Sequence, residues 1–286
     1  MVFTFTIFSR SMILDGPPCR AIRTRRSVRN YSPEDIAPEV LDDLSKACRS
    51  APGSPFGEAT SFQIIERPFK RGEPVRLGNY GLQRNPRYFF VGTIEESPTA
   101  LMGFGYVLEH LVLRATELGL GTCWMGYFNE EYFPEVSGEG LTPTIVVVGV
   151  PRDPRLGEKV TRALIKADKR KGWEHFFFDR TFDRPLSRAD AGKYEKPLEM
   201  VRLSPSSGNT QPWRVVRGPD DVFHFHIRIV KKKYHARGMH TVDTGIAMAH
   251  LELVAREVGL DGEWRVADPG LKLPAETEYL VSWFGN

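Results

Sequence analysis

Gly105-Tyr-Val-Leu-Glu-His-Leu-Val-Leu-Arg-Ala-Thr-Glu-Leu-Gly-Leu-Gly-Thr-Cys-Trp124 returns 140 residues later as Gly245-Ile-Ala-Met-Ala-His-Leu-Glu-Leu-Val-Ala-Arg-Glu-Val-Gly-Leu-Asp-Gly-Glu-Trp264. Nine of the twenty positions agree without a gap: Gly105/Gly245, His110/His250, Leu111/Leu251, Leu113/Leu253, Ala115/Ala255, Glu117/Glu257, Gly119/Gly259, Leu120/Leu260 and Trp124/Trp264. Unrelated stretches of that length share about one or two. Each copy starts on small residues, carries a helical apolar pattern and stops at a glycine, the signature of a long helix with a glycine C-cap. A repeat this long is no solenoid unit. It has the form of a homodimer whose subunits were joined, a pseudo-twofold axis replacing the true one.

Working outward, the flanks repeat too. Upstream of the first copy stand a shorter amphipathic helix (38–49), a Ser-Pro-rich turn (50–55) and a strand (61–66). Upstream of the second stand a helix (187–203), a turn (204–210) and a strand (213–217). Strands at 144–150 and 278–283 follow, and 87–93 reads as a weaker one. The expected class is α+β: a tail (1–18), then repeats at 19–160 and 161–286, joined through the Pro-, Arg- and Lys-rich stretch 151–171.

Composition limits the function classes. The 286 residues are 41% hydrophobic and 26% charged, ordinary for a globular chain with a buried core. A net charge of +3, without a dominant basic stripe, argues against a nucleic-acid binder and suits an anionic cofactor. Three scattered cysteines give neither a disulfide framework nor a metal-ligand spacing, so a cytoplasmic setting is the expectation. No stretch has the roughly 20 apolar residues of a membrane span. The start Met1-Val-Phe-Thr-Phe-Thr-Ile-Phe8 is apolar but lacks the preceding charges of a signal peptide. The histidines at 224, 226, 235 and 240 match no strong metal-ligand pattern, and no metal site is expected.

Two segments carry complementary chemistry, each intact in one half only. Arg25-Arg26-Ser27-Val28-Arg29 in the first offers charged forks suited to a phosphate or an electron-rich carbonyl. Ser204-Pro205-Ser206-Ser207-Gly208-Asn209-Thr210-Gln211-Pro212-Trp213 in the second offers neutral donors and acceptors for the edge of a heterocycle or a sugar chain. The bland alternatives are a solvated basic segment and a Ser-Pro-Asn turn. In the first half, Pro52-Gly-Ser-Pro-Phe-Gly-Glu58 stands where Pro205 to Gln211 stands in the second, with Phe56 and Glu58 replacing Asn and Gln. Arg180-Thr-Phe-Asp-Arg184 is the expected counterpart of the arginine run, without its serine.

The arginine run, the Asn-x-Gln-Pro-Trp element and the turn Gly119-Leu-Gly-Thr-Cys-Trp-Met-Gly126 together resemble the nitroreductase family. Their order and spacing resemble its fused-repeat branch, the "putative TM nitroreductases", over roughly residues 20–284. The resemblance implies one FMN, bound between the halves. Arg25, Arg26 and Ser27 would contact its phosphate and ribityl chain, and Arg29 the N1/O2 edge of the ring, where a cation stabilises the reduced flavin. Pro205, Ser206, Ser207 and Asn209 would face it from the other half, with Gln211 bonding flavin or backbone. Trp124, Met125 and Gly126 would run past N5. Lys169 and Arg170 are the expected phosphate ligands after the last strand of the half, with Lys159 and Arg162 as competitors. Trp213 is expected in the core, Cys123 as a small buried hydrophobe, and Lys231-Lys-Lys233 as a solvated loop.

The activity implied is NAD(P)H-driven, ping-pong reduction of a small acceptor such as a nitroaromatic or quinone, by a monomer. No catalytic side chain is required, because the flavin supplies the chemistry. Dehalogenation, flavin breakdown or flavin binding without catalysis are the alternatives. Residues 80–88 and 127–133 are the candidate acceptor walls.

Overall fold

Residues 13–70, 72–78, 83–136, 140–152 and 169–286 are described in a computed structural model. Most of the expected tail and joint, together with Lys159 and Arg162, lies outside them. The main helices are α1 (Pro18–Thr24), α2 (Pro38–Ser50), α3 (Pro98–Glu117), α4 (Glu195–Leu203) and α5 (Met239–Glu257). The main strands are β1 (Ser61–Glu66), β2 (Tyr88–Thr93), β3 (Gly121–Met125), β4 (Ile145–Gly149), β5 (Phe177–Asp179), β6 (Trp213–Arg217), β7 (Val222–Arg228), β8 (Gly262–Arg265) and β9 (Thr277–Gly285).

The strands make two sheets of one design. The first runs β1-β2-β4-β3 and the second β6-β7-β9-β8, antiparallel throughout, with β5 added parallel to β6 at the outer edge. Strands β2 and β4 are buried on both faces: Phe90, Val146 and Val148 meet the helices, while Phe89, Val91, Ile145 and Val147 meet a second apolar cluster. Burial on both faces erases the alternation that marks a half-exposed strand, which is why 87–93 reads weakly in sequence. The expected 187–203 helix is broken in two at Gly192, whose φ of +54° no helix interior accepts.

Helices α3 and α5 pack along each other, and their repeated glycines explain how closely. A Cβ on Gly105 would lie 2.2 Å from the Val242 carbonyl oxygen, and one on Gly245 would lie 2.0 Å from that of Met102. Met102 and Val242 are themselves 140 apart. Residue i of one helix thus meets j of the other and j meets i, the pattern of an isologous twofold contact within one chain. Both helices end alike. Gly119 and Gly259 take φ of +78° and +79°, and Leu120 and Leu260 each donate back, 2.9 Å, to the carbonyls of Ala115 and Ala255. Left-handed glycine caps of this kind satisfy the last carbonyls of a helix.

Helix α1 breaks the symmetry by lying across the axis. Leu14, Ala21 and Ile22 pack on Leu113, Leu253 and Val254. The repeated acids clasp the incoming chain: Glu117 accepts the Gly16 N–H and Glu257 the Cys19 N–H, both at 2.8 Å. One helix at a twofold junction can leave it in one direction only. It therefore delivers the following arginines to one end of the pseudo-dimer.

Candidate functional site

The segment leaving α1 extends the first sheet. Ser27 bridges Thr122 on β3, and the Val28 N–H donates to the Thr122 carbonyl at 2.9 Å. Tyr31 Oη donates to the Val28 carbonyl at 2.6 Å, and Arg84 N–H to that of Arg29 at 2.9 Å. This extended run fixes Arg25, Arg26 and Arg29 beside the end of β3. The expected counterpart, 180–184, is placed elsewhere. It follows β5 on the far side of β6, where Asp179 pairs with Arg184 (3.2 Å) and Arg217 (2.7 Å). By the offset of 140, Thr122 corresponds to Gly262 on β8, at the opposite edge of the second sheet, so 180–184 is not the second copy of the arginine run.

The Ser-Pro-Asn loop is held by its own polar groups. Gly208, Asn209 and Gln211 all have positive φ, of +57°, +53° and +51°, which only glycine adopts without cost. The Ser206 hydroxyl accepts the Gln211 N–H at 2.9 Å, and Gln211 Oε1 accepts the Lys171 N–H at 3.0 Å. Gln211 Nε2 donates to the Lys169 carbonyl (3.3 Å), as does Asn209 Nδ2 (2.9 Å). Arg170 donates to Asn209 Oδ1 (3.0 Å) and to the Leu203 carbonyl. Trp213, fully buried, then enters β6.

These pieces enclose a cleft of about 480 Å³, the size of a cofactor or drug-sized ligand site. Of the residues singled out in the sequence, Arg25, Arg26, Ser27, Arg29, Trp124, Met125, Gly126, Arg170, Pro205, Ser206, Ser207 and Asn209 line it. Gln211 and Lys169 do not. Gln211 spends its side chain on the backbone, and Lys169 contributes its carbonyl while its side chain is exposed. Lys231, Lys232 and Lys233 are exposed, and Lys231 also borders the cleft. Among the described residues, Tyr127 is the member of the candidate acceptor segments found in the lining; 80–82 lie outside them.

Sequence reasoning missed Asp243 on α5. It is 2% exposed and lines the cleft. Ser207 donates its N–H to both carboxyl oxygens (3.0 and 3.1 Å) and its hydroxyl to Oδ1 (3.2 Å). Burial pushes the Asp243 carboxyl up to about 8, outweighing these donors. The only hint in sequence is an acid among small and apolar residues at the start of a buried helix.

Trp124 is tied across the axis. Its indole N–H donates to Glu109 Oε2 (3.1 Å), and Glu109 Oε1 lies 2.9 Å from His250 Nε2, with both side chains fully buried. On its other side His250 Nδ1 lies 2.9 Å from both the Met200 carbonyl and the Ser204 hydroxyl, which hold the ring in place. Trp264 also donates to a carboxylate, Glu252 (2.8 Å), but from a different helix position, since Ala249 stands where α3 has Glu109. His110, in the position equivalent to His250, instead bonds the Tyr106 carbonyl on its own helix (2.8 Å).

At the pseudo-symmetric place the first half has closed. Gly103 stands where α5 has Asp243, and a Cβ there would meet Ser54 Oγ at 2.4 Å. Ser54, equivalent to Ser207, donates instead to Glu58 (2.6 Å), and Phe56 packs against the core.

Around the open cleft the charge is lopsided. Among the described residues of the lining, Arg23, Arg25, Arg26, Arg29, Arg170 and Lys231 share the cleft with one acid, Asp243, and the apolar side chains of Ile22, Met239, Val242 and Ile246. Gly126 lets the main chain approach, since a Cβ there would lie 2.8 Å from Met239 Sδ. Cationic forks, neutral donors and an apolar wall in one cleft fit a flat heterocycle bearing an anionic tail.

Comparison with known proteins identifies the family. The crystal structure of a putative nitroreductase from Thermotoga maritima superposes with a TM-score of 0.63, at 20% identity over 98% of each chain. Shorter relatives match about half of this chain: an FMN-dependent nitroreductase from Clostridium difficile (21% identity, 47% of this chain and 88% of its own, TM-score 0.39) and a nitroreductase with bound FMN from Desulfitobacterium hafniense (16%, 50% and 93%, TM-score 0.39). The sequence model of the family described as "Putative TM nitroreductase" matches residues 19–255, and the chain belongs to that family.

Proposed function

We propose that this chain is an FMN-dependent oxidoreductase that binds one FMN in the cleft between its halves, 19–160 and 161–286, and works as a monomer. The carrying observation is that one cleft unites the arginine run of the first half with the Ser-Ser-x-Asn loop of the second, while the equivalent place is filled by Ser54 against Gly103. Arg25, Arg26 and Arg170 would hold the phosphate, with Ser27 on the ribityl chain. Arg29 would sit at the pyrimidine edge, where a cation favours negative charge. Ser206, Ser207 and Asn209 would supply hydrogen bonds to the ring system, and the Trp124–Gly126 main chain would run along it. Lys169 and Gln211 act indirectly, by holding the loop.

Bound FMN supplies the two-electron chemistry, with NAD(P)H as donor and a nitroaromatic or quinone as acceptor in a ping-pong cycle. The residues bind and orient, and none is assigned as catalytic. The apolar wall excludes water from the ring, and the Glu109–His250 pair holds Trp124 in place from across the axis.

The visible spectrum of the purified chain tests this. The expected result is oxidised-flavin absorption at one FMN per chain, bleached anaerobically by NAD(P)H. Two FMN per chain, or no uptake of added FMN, overturns the one-site reading.

A further inference from the structure

The two halves differ in how the chain enters the central helices. From β2 to α3 it crosses four residues, 94–97, whereas from β7 to α5 it crosses ten, 229–238. The extra length folds into a short helix, Lys232–His235, and a turn. It docks on the open cleft alone. Tyr234 is buried with its ring against Gly208 of the Ser-Pro-Asn loop, 2.9 Å from where a Cβ would stand. Its ring centroid lies 6.0 Å from that of Tyr127, just past β3 of the other half, and both tyrosines line the cleft.

Cations crowd this aromatic pair. Lys231 Nζ lies 4.9 Å from the Tyr234 ring centroid, Lys233 Nζ 5.1 Å from that of Tyr127, and Arg237 Cζ 4.4 Å from the latter. Among the described residues, none of the three is ion-paired with a carboxylate. The other two basic groups of the insert are: Lys232 with Glu276 (3.9 Å) and His235 with Glu278 (3.3 Å). The insert thus turns Lys232 and His235 towards carboxylates at the start of β9 and gathers the cations that face no carboxylate around the tyrosines. Such a grouping is electrostatically unfavourable by itself, and an anion relieves it. These three cations are distinct from the arginines that α1 and Arg170 bring to the cleft.

We propose that residues 229–238, with Tyr127, form a subsite for a planar aromatic anion. Its ring is set against Tyr127 and Tyr234, and its carboxylate or phosphate is taken by Lys231, Lys233 and Arg237. The assignment rests on the functional reading above for the word substrate, but the subsite itself does not need it. A carboxylated acceptor and the 2′-phosphate of NADPH carry the same chemistry, and either source can use these cations.

Isothermal titration of the full chain, with FMN content read beforehand from its absorbance, separates the cases. Two probe pairs are used: 4-nitrobenzoate against the neutral 4-nitrobenzyl alcohol, and NADPH against NADH. The native chain is expected to bind the more anionic member of at least one pair about tenfold more tightly, since each exposed charge contributes up to about 1 kcal/mol, with the gap shrinking in high salt. The triple variant Lys231→Gln/Lys233→Gln/Arg237→Gln is expected to lose that gap while keeping its affinity for the neutral or less anionic member. Lys232→Gln, on the same helix but facing Glu276, is expected to keep it. Which pair shows the gap identifies the source. No gap in either pair, or a gap that survives the triple variant, overturns the subsite. Failure to take up FMN would overturn the flavoenzyme reading, and the titrations would still report on the subsite.

Discussion

Asp243→Asn should change the pH dependence of stability in a calculable direction. In the unfolded chain this carboxyl titrates near its ordinary value of 3.8, and in the folded chain near 8. Between those values the folded state binds a proton that the unfolded state does not, so the native chain loses stability as pH rises through the window. The full span is worth about 6 kcal/mol, of which about 2 kcal/mol falls between pH 6 and 8, at about 1.4 kcal/mol per unit. Asparagine keeps an oxygen for the Ser207 N–H and does not titrate. Urea denaturation of both chains at pH 6 and pH 8 reads the difference directly, and common contributions cancel. For a slope on the order of 3 kcal/mol per molar, the native midpoint should drop by about 0.7 M more than the variant's. Asp243→Asn should be the more stable chain at pH 8 and above. Parallel midpoints across the range would refute a buried, proton-holding acid in the cleft.

Three further outcomes follow from the packing and the charges. Gly245→Ala places a methyl against the Met102 carbonyl and should cost about 3 kcal/mol, seen as a lowered thermal midpoint. Glu109→Ala strands the fully buried His250 and the part-buried Trp124 indole and should cost about 3–5 kcal/mol in chemical denaturation, together with a change in tryptophan fluorescence. Arg26→Ala should weaken FMN binding by about 10- to 100-fold in a fluorescence titration, the worth of one charge-assisted bond, whereas Arg184→Ala, paired with Asp179 away from the cleft, should leave it unchanged.

How much of this could be read from the sequence depends on what each residue does locally. The repeated positions were legible because each has a backbone or packing duty: glycines at the helix contact and at the left-handed caps, acids that clasp the chain, tryptophans anchored by carboxylates. The Asn-x-Gln-Pro-Trp loop was legible for the same reason, since its side chains are spent on its own unusual backbone. Strand β2 read weakly because burial on both faces removes alternation. Strand β3 was hidden inside what looked like a turn, and β5 and β8 are too short to show a period. Asp243 and the cleft-facing role of Lys231 were illegible because they arise from contacts far along the chain. The error over 180–184 has the same origin. Arg-x-x-x-Arg is compatible with many places, and only the sheet order shows which edge it occupies.

Walls drawn from both ends of one chain have a consequence for dilution. A cleft assembled from two separate subunits disappears as concentration falls below their dissociation constant, and its ligand leaves with it. Here α1 and the Ser-Pro-Asn loop are tethered by the same backbone, which sets their effective concentration regardless of how little protein is present, typically on the order of millimolar for flexible tethers. The affinity for the ligand should therefore be independent of protein concentration. A mutation on either side of the axis is also inherited once rather than twice, so one cleft can be reshaped while the opposite one is filled in.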